Sequence, residues 1–272
     1  MQFRPCIDIH NGKVKQIVGG SLKDSGNQAE ENFVSEQDAS WYARQYKKDH
    51  IRGGHIILLN PEASEYYEAD VTQALGALAA YPGGLQIGGG IHPGNARRFL
   101  NAGASHVIVT SYVFKDGKIH FDRLKALSEL IGSQRLVLDL SCRKKGSEYY
   151  IVTDRWQKFT TEKMNLEALE MLAPYCDEFL IHAVDVEGKA SGIEKPLASL
   201  LGNFTGRAVT YAGGVGSFED LSTLKILGQN RINVTIGSAL DLFGGPIPYE
   251  IVKYLGTEKE ALPKLYRKDE VF

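Results

Sequence analysis

One unit occurs twice in this chain, and it restricts the fold more than any other feature. Leu85-Gln86-Ile87-Gly88-Gly89-Gly90-Ile91 leads through Ala96 to Leu100 into Val107-Ile108-Val109-Thr110-Ser111. Val209-Thr210-Tyr211-Ala212-Gly213-Gly214-Val215 leads in the same way through Phe218 to Leu227 into Val234-Thr235-Ile236-Gly237-Ser238. Each copy reads as a buried strand closed by glycines, a helix, and a second buried strand ending on a hydroxyl, because short apolar runs bounded by glycine are strand signals. Bare glycine amides at a strand-to-helix turn, backed by a helix start, favour an anion. One such turn could arise in any α/β protein, serving only close packing. Two that end alike point to two phosphate cradles on a duplicated scaffold.

The remaining apolar runs complete the pattern. Cys6 to Ile9, His55 to Leu59, Arg135 to Leu140 and Phe179 to Ala183 add strands, giving eight that alternate with helices. Such alternation implies a parallel sheet with right-handed crossovers. A doubly wound sheet would set its glycine fingerprint after the first strand. Here the glycines follow strands three and seven, and the aspartates Asp8 and Asp139 close strands one and five. Opposite strands of an eightfold ring thus carry like chemistry. The expectation is α/β, a single (β/α)8 TIM barrel with twofold internal repeat, its half-barrels covering about 1–131 and 132–255, with a tail at 256–272. A length of 272 residues suits one such barrel.

Local patterning sharpens this. Asn11-Gly12 turns the chain into a return strand over Val14 to Val18, and Asp38 to Lys48 is an amphipathic helix burying Trp41, Tyr42 and Tyr46. Ser21 to Gln37 is polar and aperiodic, which predicts a loop able to close over a site. The basic, aromatic stretch from Cys142 to Trp156 predicts a loop or hairpin.

A formal net charge of -2 gives no support for a nucleic-acid or membrane partner, so any anion site must be built locally. Cys6, Cys142 and Cys176 are far apart and form no metal-ligand spacing, which points to a reducing cytoplasm. No apolar run approaches the roughly 18 residues of a membrane span. His10, His50, His55 and His92 do not assemble into a metal site by spacing, and the expected state is a monomer acting on a small molecule.

The chemistry is expected at the C-terminal rim of the strands. An isolated Asp8 or Asp139 could simply cap a turn, but equivalent positions in two repeats suit paired proton transfer, one carboxylate as base and a less solvated partner as acid. Asp185 and Glu187, just before the turn Gly188 to Gly192, are further candidate acids. Gly88, Gly89 and Gly90 with Thr110 and Ser111 form one anion site; Gly213 and Gly214 with Gly237, Ser238 and Gly188 form the other. The ligand would carry a phosphate at each end. Trp156 either roofs the core or stacks on a planar heterocycle, His182 reads as a core histidine, and Lys13, Lys15, Arg143 and Lys144 lie near the rim as phosphate attractors.

Cys6-Ile7-Asp8-Ile9-His10-Asn11-Gly12-Lys13-Val14 with Gln86-Ile87-Gly88-Gly89-Gly90-Ile91 resembles the histidine-biosynthesis isomerases that act on phosphoribosylformimino-5-aminoimidazole carboxamide ribotide. Leu138-Asp139-Leu140-Ser141-Cys142-Arg143-Lys144, Ile181-His182-Ala183-Val184-Asp185-Val186-Glu187-Gly188 and Tyr211-Ala212-Gly213-Gly214 resemble the eukaryotic-type branch. The resemblance implies a barrel that needs no cofactor and performs an Amadori rearrangement, aminoaldose to aminoketose, on a substrate phosphorylated at both ends. Asp8 matches that family's base, and Asp139 matches the aspartate often assigned as its acid. Many bacterial members carry a Thr-Asp pair after strand six; this chain lacks the Thr, which leaves Asp139, Asp185 and Glu187 as candidate donors. His92 stands where an Arg often follows the glycines. The sister cyclase, a phosphoribosylanthranilate isomerase and a non-catalytic phosphosugar-binding barrel are the rival readings.

Overall fold

The computed structural model describes residues 1–18, 30–154 and 156–260. Eight parallel strands follow one another around a ring: β1 (Cys6–His10), β2 (Gly54–Leu58), β3 (Leu85–Gly88), β4 (Val107–Val109), β5 (Leu136–Asp139), β6 (Glu178–His182), β7 (Ala208–Ala212) and β8 (Asn233–Thr235). Each hydrogen-bonds to its sequence neighbour in the barrel, as in Leu180 of β6 registering with Asp139 of β5. The ring closes where Phe3 bridges Val234: the Arg4 amide donates to the Val234 carbonyl at 2.8 Å and the Val234 amide to the Gln2 carbonyl at 2.9 Å. Closure removes sheet edges that would otherwise invite pairing with another chain. The eightfold α/β barrel expected from the repeats is the observed fold.

Helices α1 (Ala39–Lys48), α2 (Tyr67–Ala80), α3 (Ala96–Asn101), α4 (Phe121–Ile131), α5 (Leu166–Leu172), α6 (Lys195–Gly202) and α7 (Phe218–Leu227) connect successive strands, and α8 (Tyr249–Val252) follows β8. Helix α1 shows why they start where they do. The Asp38 side chain accepts from the Trp41 amide at 2.7 Å, meeting one of the orphan donors of the first turn. Ala39, Tyr42, Ala43 and Tyr46 then recur on one face and are buried. Trp41 is only half-buried, lying edge-on to Tyr42 at 5.0 Å. Strands such as Leu136-Val137-Leu138 are buried on both faces, the mark of a sheet covered by helices outside and side chains within.

Two separate layers fill the ring. Ile57, Ile108, Val137 and Leu180 form a small apolar cluster from β2, β4, β5 and β6. Because β2 and β6 are not neighbours, that contact crosses the barrel interior. Below it, Glu178 of β6 accepts from Gln86 of β3 at 2.8 Å and from the Thr210 hydroxyl of β7. Alternation along a strand then aims His182, two residues past Leu180, and Asp139, two past Val137, into the mouth.

Two sequence expectations change. The return strand is Lys13–Ile17, and Glu31–Val34 pairs with it as a further antiparallel strand, so this part of Ser21 to Gln37 is not loop. Its polar residues sit on a sheet edge, where one face needs no apolar partner. Residues 19–29, where the expected closing loop falls, lie outside the described residues. Cys142 to Trp156 belongs to a three-stranded antiparallel sheet, Cys142–Lys145, Glu148–Thr153 and Lys158–Lys163. Each half-barrel therefore carries an antiparallel insertion directly after its first strand.

Candidate active site

The two aspartates meet different surroundings. Asp8 is half-buried and accepts one hydrogen bond, from the Gln16 amide of the return strand at 3.3 Å. Burial, reinforced by the nearby Glu187 charge, pushes its carboxyl up to about 7, against the opposing pull of His182 and Gln16. Asp139 accepts from both the Ser141 amide, at 2.9 Å, and the Ser141 hydroxyl, and its second oxygen lies 3.7 Å from His182 Nδ1. Burial would raise it, yet the His182 charge and these hydrogen bonds hold it below the usual carboxylate range.

His182 joins the two halves. Its ring Nδ1 lies 3.2 Å from the Ser141 hydroxyl. Burial disfavours its charge, but Asp139 most strongly, then Glu187 and Asp8, raise it to about 9. His55 faces it edge-on at 6.0 Å between ring centroids; burial and the His182 charge drive His55 down to about 3, so one imidazole is charged and the other neutral. His182, read from the sequence as a core histidine, is buried and hydrogen-bonded at the C-terminal end of β6, and it stands beside Asp139 and next to Trp156. A polar residue in phase with the inward aspartates was the available signal. Ser141 and Gln16, which tune the two carboxylates, carried none.

The glycine turns are built alike. Gly89 and Gly90 have φ of 99° and 68°, and Gly213 and Gly214 have 115° and 77°, a left-handed pair in each half-barrel that exposes consecutive amides. A side chain at Gly89 would strike the Leu58 carbonyl, and one at Gly214 the Gly192 carbonyl. The first turn opens on a cavity of about 460 Å³ whose walls include Gly90, Thr110, Asp139 and Trp156. Ser111 also lines it, and its hydroxyl accepts from the Asp154 amide at 3.1 Å. The second turn shares a narrow pocket with Glu187, Gly188, Gly237 and Ser238. Glu187 Oε2 is buried there with no hydrogen-bond partner among the described residues, and burial raises its carboxyl. Gly88 lines neither space: it lies within β3, where a side chain would crowd Ile57 and Ile108.

Several expected rim residues are engaged elsewhere. Arg143 donates to Asp185 at 2.9 Å, and the Lys144 amide holds the other Asp185 oxygen at 2.8 Å. Asp185 thereby pins the insertion to the loop after β6, as a salt bridge. Lys15 pairs with Glu31 at 2.5 Å. The charges of Arg143, Asp185, Lys15 and Glu31 are met within the protein, whereas Lys144 takes part through its backbone amide. The Trp156 ring lies 5.4 Å from that of His182, tilted by 46°, over the mouth rather than over the core.

Residues 2–245 match the family described as histidine biosynthesis protein. The chain belongs to that family. Among relatives, a chloroplastic 1-(5-phosphoribosyl)-5-((5-phosphoribosylamino)methylideneamino) imidazole-4-carboxamide isomerase of Medicago truncatula is 52% identical over 267 residues, 96% of this chain and 84% of the relative. Proteins with the same isomerase name are 45% identical in Yarrowia lipolytica and 42% in Saccharomyces cerevisiae, each over 90% of this chain and 93% of the relative. The eukaryotic character of these histidine biosynthesis proteins agrees with the motifs after β5 and β6. Among the described residues no helix is long and apolar enough to cross a membrane.

Proposed function

We propose that this chain is an aldose–ketose isomerase of histidine biosynthesis, converting the aminoaldose named in its relatives to the aminoketose by an Amadori rearrangement. The reaction needs an acid and a base, and a grip on both phosphates. Protonation of the furanose ring oxygen breaks its bond to C1 as the nitrogen lone pair forms the imine. The base then takes the C2 proton, and the electron pair makes the enolamine. C1 gains a proton, the C2 hydroxyl loses one, and the ketone results. No atoms are gained or lost.

Asp8 is the base in this reading: a carboxyl raised to about 7 is matched to proton abstraction at neutral pH. Asp139 marks the acid side of the mouth. Gly89, Gly90, Thr110 and Ser111 hold one phosphate; Gly188, Gly213, Gly214, Gly237 and Ser238 hold the other, and Trp156 stacks on the imidazole. What supports the assignment is that Asp8 near the end of β1 and Asp139 at the end of β5 stand on the same C-terminal rim of the barrel, with His182 of β6 3.7 Å from Asp139. The cyclase alternative requires ammonia to travel through the barrel, whose lower interior here holds the hydrogen-bonded Glu178, Gln86 and Thr210.

We read residues 1–272 as one barrel domain, with half-barrels at about 1–131 and 132–255 and a tail at 256–272, acting as a monomer. Its larger exposed apolar side chains, among them Phe121, Met171 and Ile226, are spread over separate helices. Three buried, unpaired thiols suit a reducing compartment such as the cytoplasm, although the Medicago relative is named as chloroplastic. The deciding assay supplies the purified chain with the aminoaldose and no ammonia, and follows the ultraviolet change. Turnover supports the isomerase; turnover only of the ketose, and only with added ammonia, supports the cyclase.

A further inference from the structure

We propose that Gln16 is a positioning residue that couples the second phosphate cradle to Asp8, so that a phosphate seated on Gly213, Gly214 and Gly237 sets the Asp8 carboxylate for proton abstraction. This rests on the isomerase reading, with Asp8 as its base, and gives the distant phosphate a use beyond holding the substrate.

The side chain of Gln16 touches both ends of this path. It lies on the return strand and is only 3% exposed. Its Nε2 donates to Asp8 Oδ2 at 3.3 Å and lies 3.6 Å from Cys6 Sγ. An ionised carboxylate only accepts, so the amide nitrogen faces Asp8 and Oε1 is turned away from it. Oε1 stands against Gly237, in the space that a side chain there would occupy, and Glu187 Oε1 borders the same space at 3.9 Å. Gly237 in turn lines the second pocket with Gly213, Gly214 and Ser238. One residue thus reaches from the wall of that pocket to the base. Cys6 adds a tie to the same wall, its thiol lying 4.0 Å from the Ile236 carbonyl. The pairing explains why a polar residue points inward here. The return strand registers with β1 only at Val14 and Lys13, and its register with Glu31–Val34 slips between Gln16 and Ile17. Such an irregularity re-aims a side chain.

Asp8 depends on this contact in a way that Asp139 does not. Asp139 is held by the amide and hydroxyl of Ser141, two residues along its own chain, whatever the pockets contain. Among the described residues Gln16 is the single hydrogen-bond donor to Asp8. The titratable groups facing Asp8 are Cys6 on its own strand, Tyr46 of α1, His182 of β6 and Glu187 beyond it. Whatever fixes Gln16 therefore orients the base. Phosphate drawn to the glycine amides orders the Ile236–Ser238 wall, and Gly237 then limits where Oε1 can stand. A contact of 3.3 Å is long for N–H···O and has room to tighten as the substrate seats. Binding energy from a part of the substrate that does not react is then expressed at the reacting carbon, in kcat more than in affinity.

The test uses the full chain, with wild-type turnover of the bisphosphorylated aminoaldose as the reference. Failure of that reference counts against the isomerase reading, and normal turnover by Asp8→Asn counts against the base; neither outcome involves Gln16. Gln16→Met keeps the length of the side chain and removes both polar ends. Its kcat should fall by about 10- to 100-fold, the scale of a misplaced catalytic group, with product affinity within about threefold. Gln16→Glu, which sets a second carboxylate against Asp8, should fall further. In both variants the acidic limb of the kcat/KM profile should move up from about 7, because the lost donation favoured the ionised carboxyl. The coupling itself is read with aminoaldose lacking one of its two phosphates, supplied with phosphite dianion. For the end that seats in the second cradle, phosphite should raise wild-type turnover by about tenfold or more and leave Gln16→Met nearly unchanged. Equal activation of the two proteins, or no activation of the wild type with either truncated substrate, overturns the proposal. So does an acidic limb that stays in place in both variants. Loss of product affinity in both would assign Gln16 to the scaffold and overturn it as well.

Discussion

The two half-barrels present the same backbone and opposite electrostatics. Asp8 and Asp139 occupy the first strand of each half, yet one accepts a single amide hydrogen bond and is raised to about 7, while the other is gripped by Ser141 and His182 and lowered. The glycine turns differ in the same spirit. Both use paired left-handed glycines, but the first faces a cavity of about 460 Å³ and the second a narrow pocket with a Glu187 oxygen that has no partner among the described residues. The two halves repeat a strand–glycine-turn motif, and the residues two or more positions beyond each repeated motif make their sites unlike. For a reaction needing base and acid at once, unlike is what the site requires.

The largest effect should come from removing the base. Asp8→Asn is expected to reduce kcat by about 10³-fold, with product affinity within roughly tenfold because the group acts mainly in the transition state. Single-turnover kinetics would check it, and normal turnover would transfer the base assignment away from the first half-barrel. The comparison of the cradles breaks next. Gly214→Val should weaken binding of the bisphosphorylated product by about 10- to 100-fold, the range of one lost charge-assisted hydrogen bond or two, with kcat less affected. Gly89→Val, facing the roomier cavity, should cost less, and titration calorimetry of both variants would rank them.

Glu187→Gln sharpens the contrast between the two pockets. Burial raises Glu187, so it ionises late, and its charge then opposes a neighbouring phosphate. Product affinity of the Gln variant should exceed that of wild type by roughly two- to fivefold at pH 8, with the difference fading on acidification. Loss of turnover in place of that affinity change would make Glu187 a proton donor. The smallest effect is on stability. A folded-state carboxyl raised to about 7 favours the protonated form, so Asp8 contributes its full stability below about pH 4 and loses it as pH rises to about 7. Asp8→Asn should therefore melt a few degrees higher than wild type at pH 8, and the gain should vanish below about pH 4.

Much of this molecule can be read without coordinates. The strands that close the ring are short runs such as Val107-Ile108-Val109, buried on both faces, and their composition announces them. Glu31–Val34 could not be read that way, since three of its four residues are exposed and only the neighbouring strand makes it a strand. His182 shows the same limit in the site. In a run of buried residues it is indistinguishable from a core histidine until ring closure shows which side chains share the interior.

The amino-acid order alone settled the alternation of strands and helices, the placement of aspartates and glycines on opposite strands, and the family. These are local properties: hydrophobic period, glycine turns and motif spacing act within a few residues. What the folded chain alone decided is which partner each charge meets. Ser141 beside Asp139, Arg143 on Asp185 and His182 against Asp139 all depend on segments converging at one rim. Electrostatic environment is set by distance through space and by burial, and neither is written in the spacing along the chain.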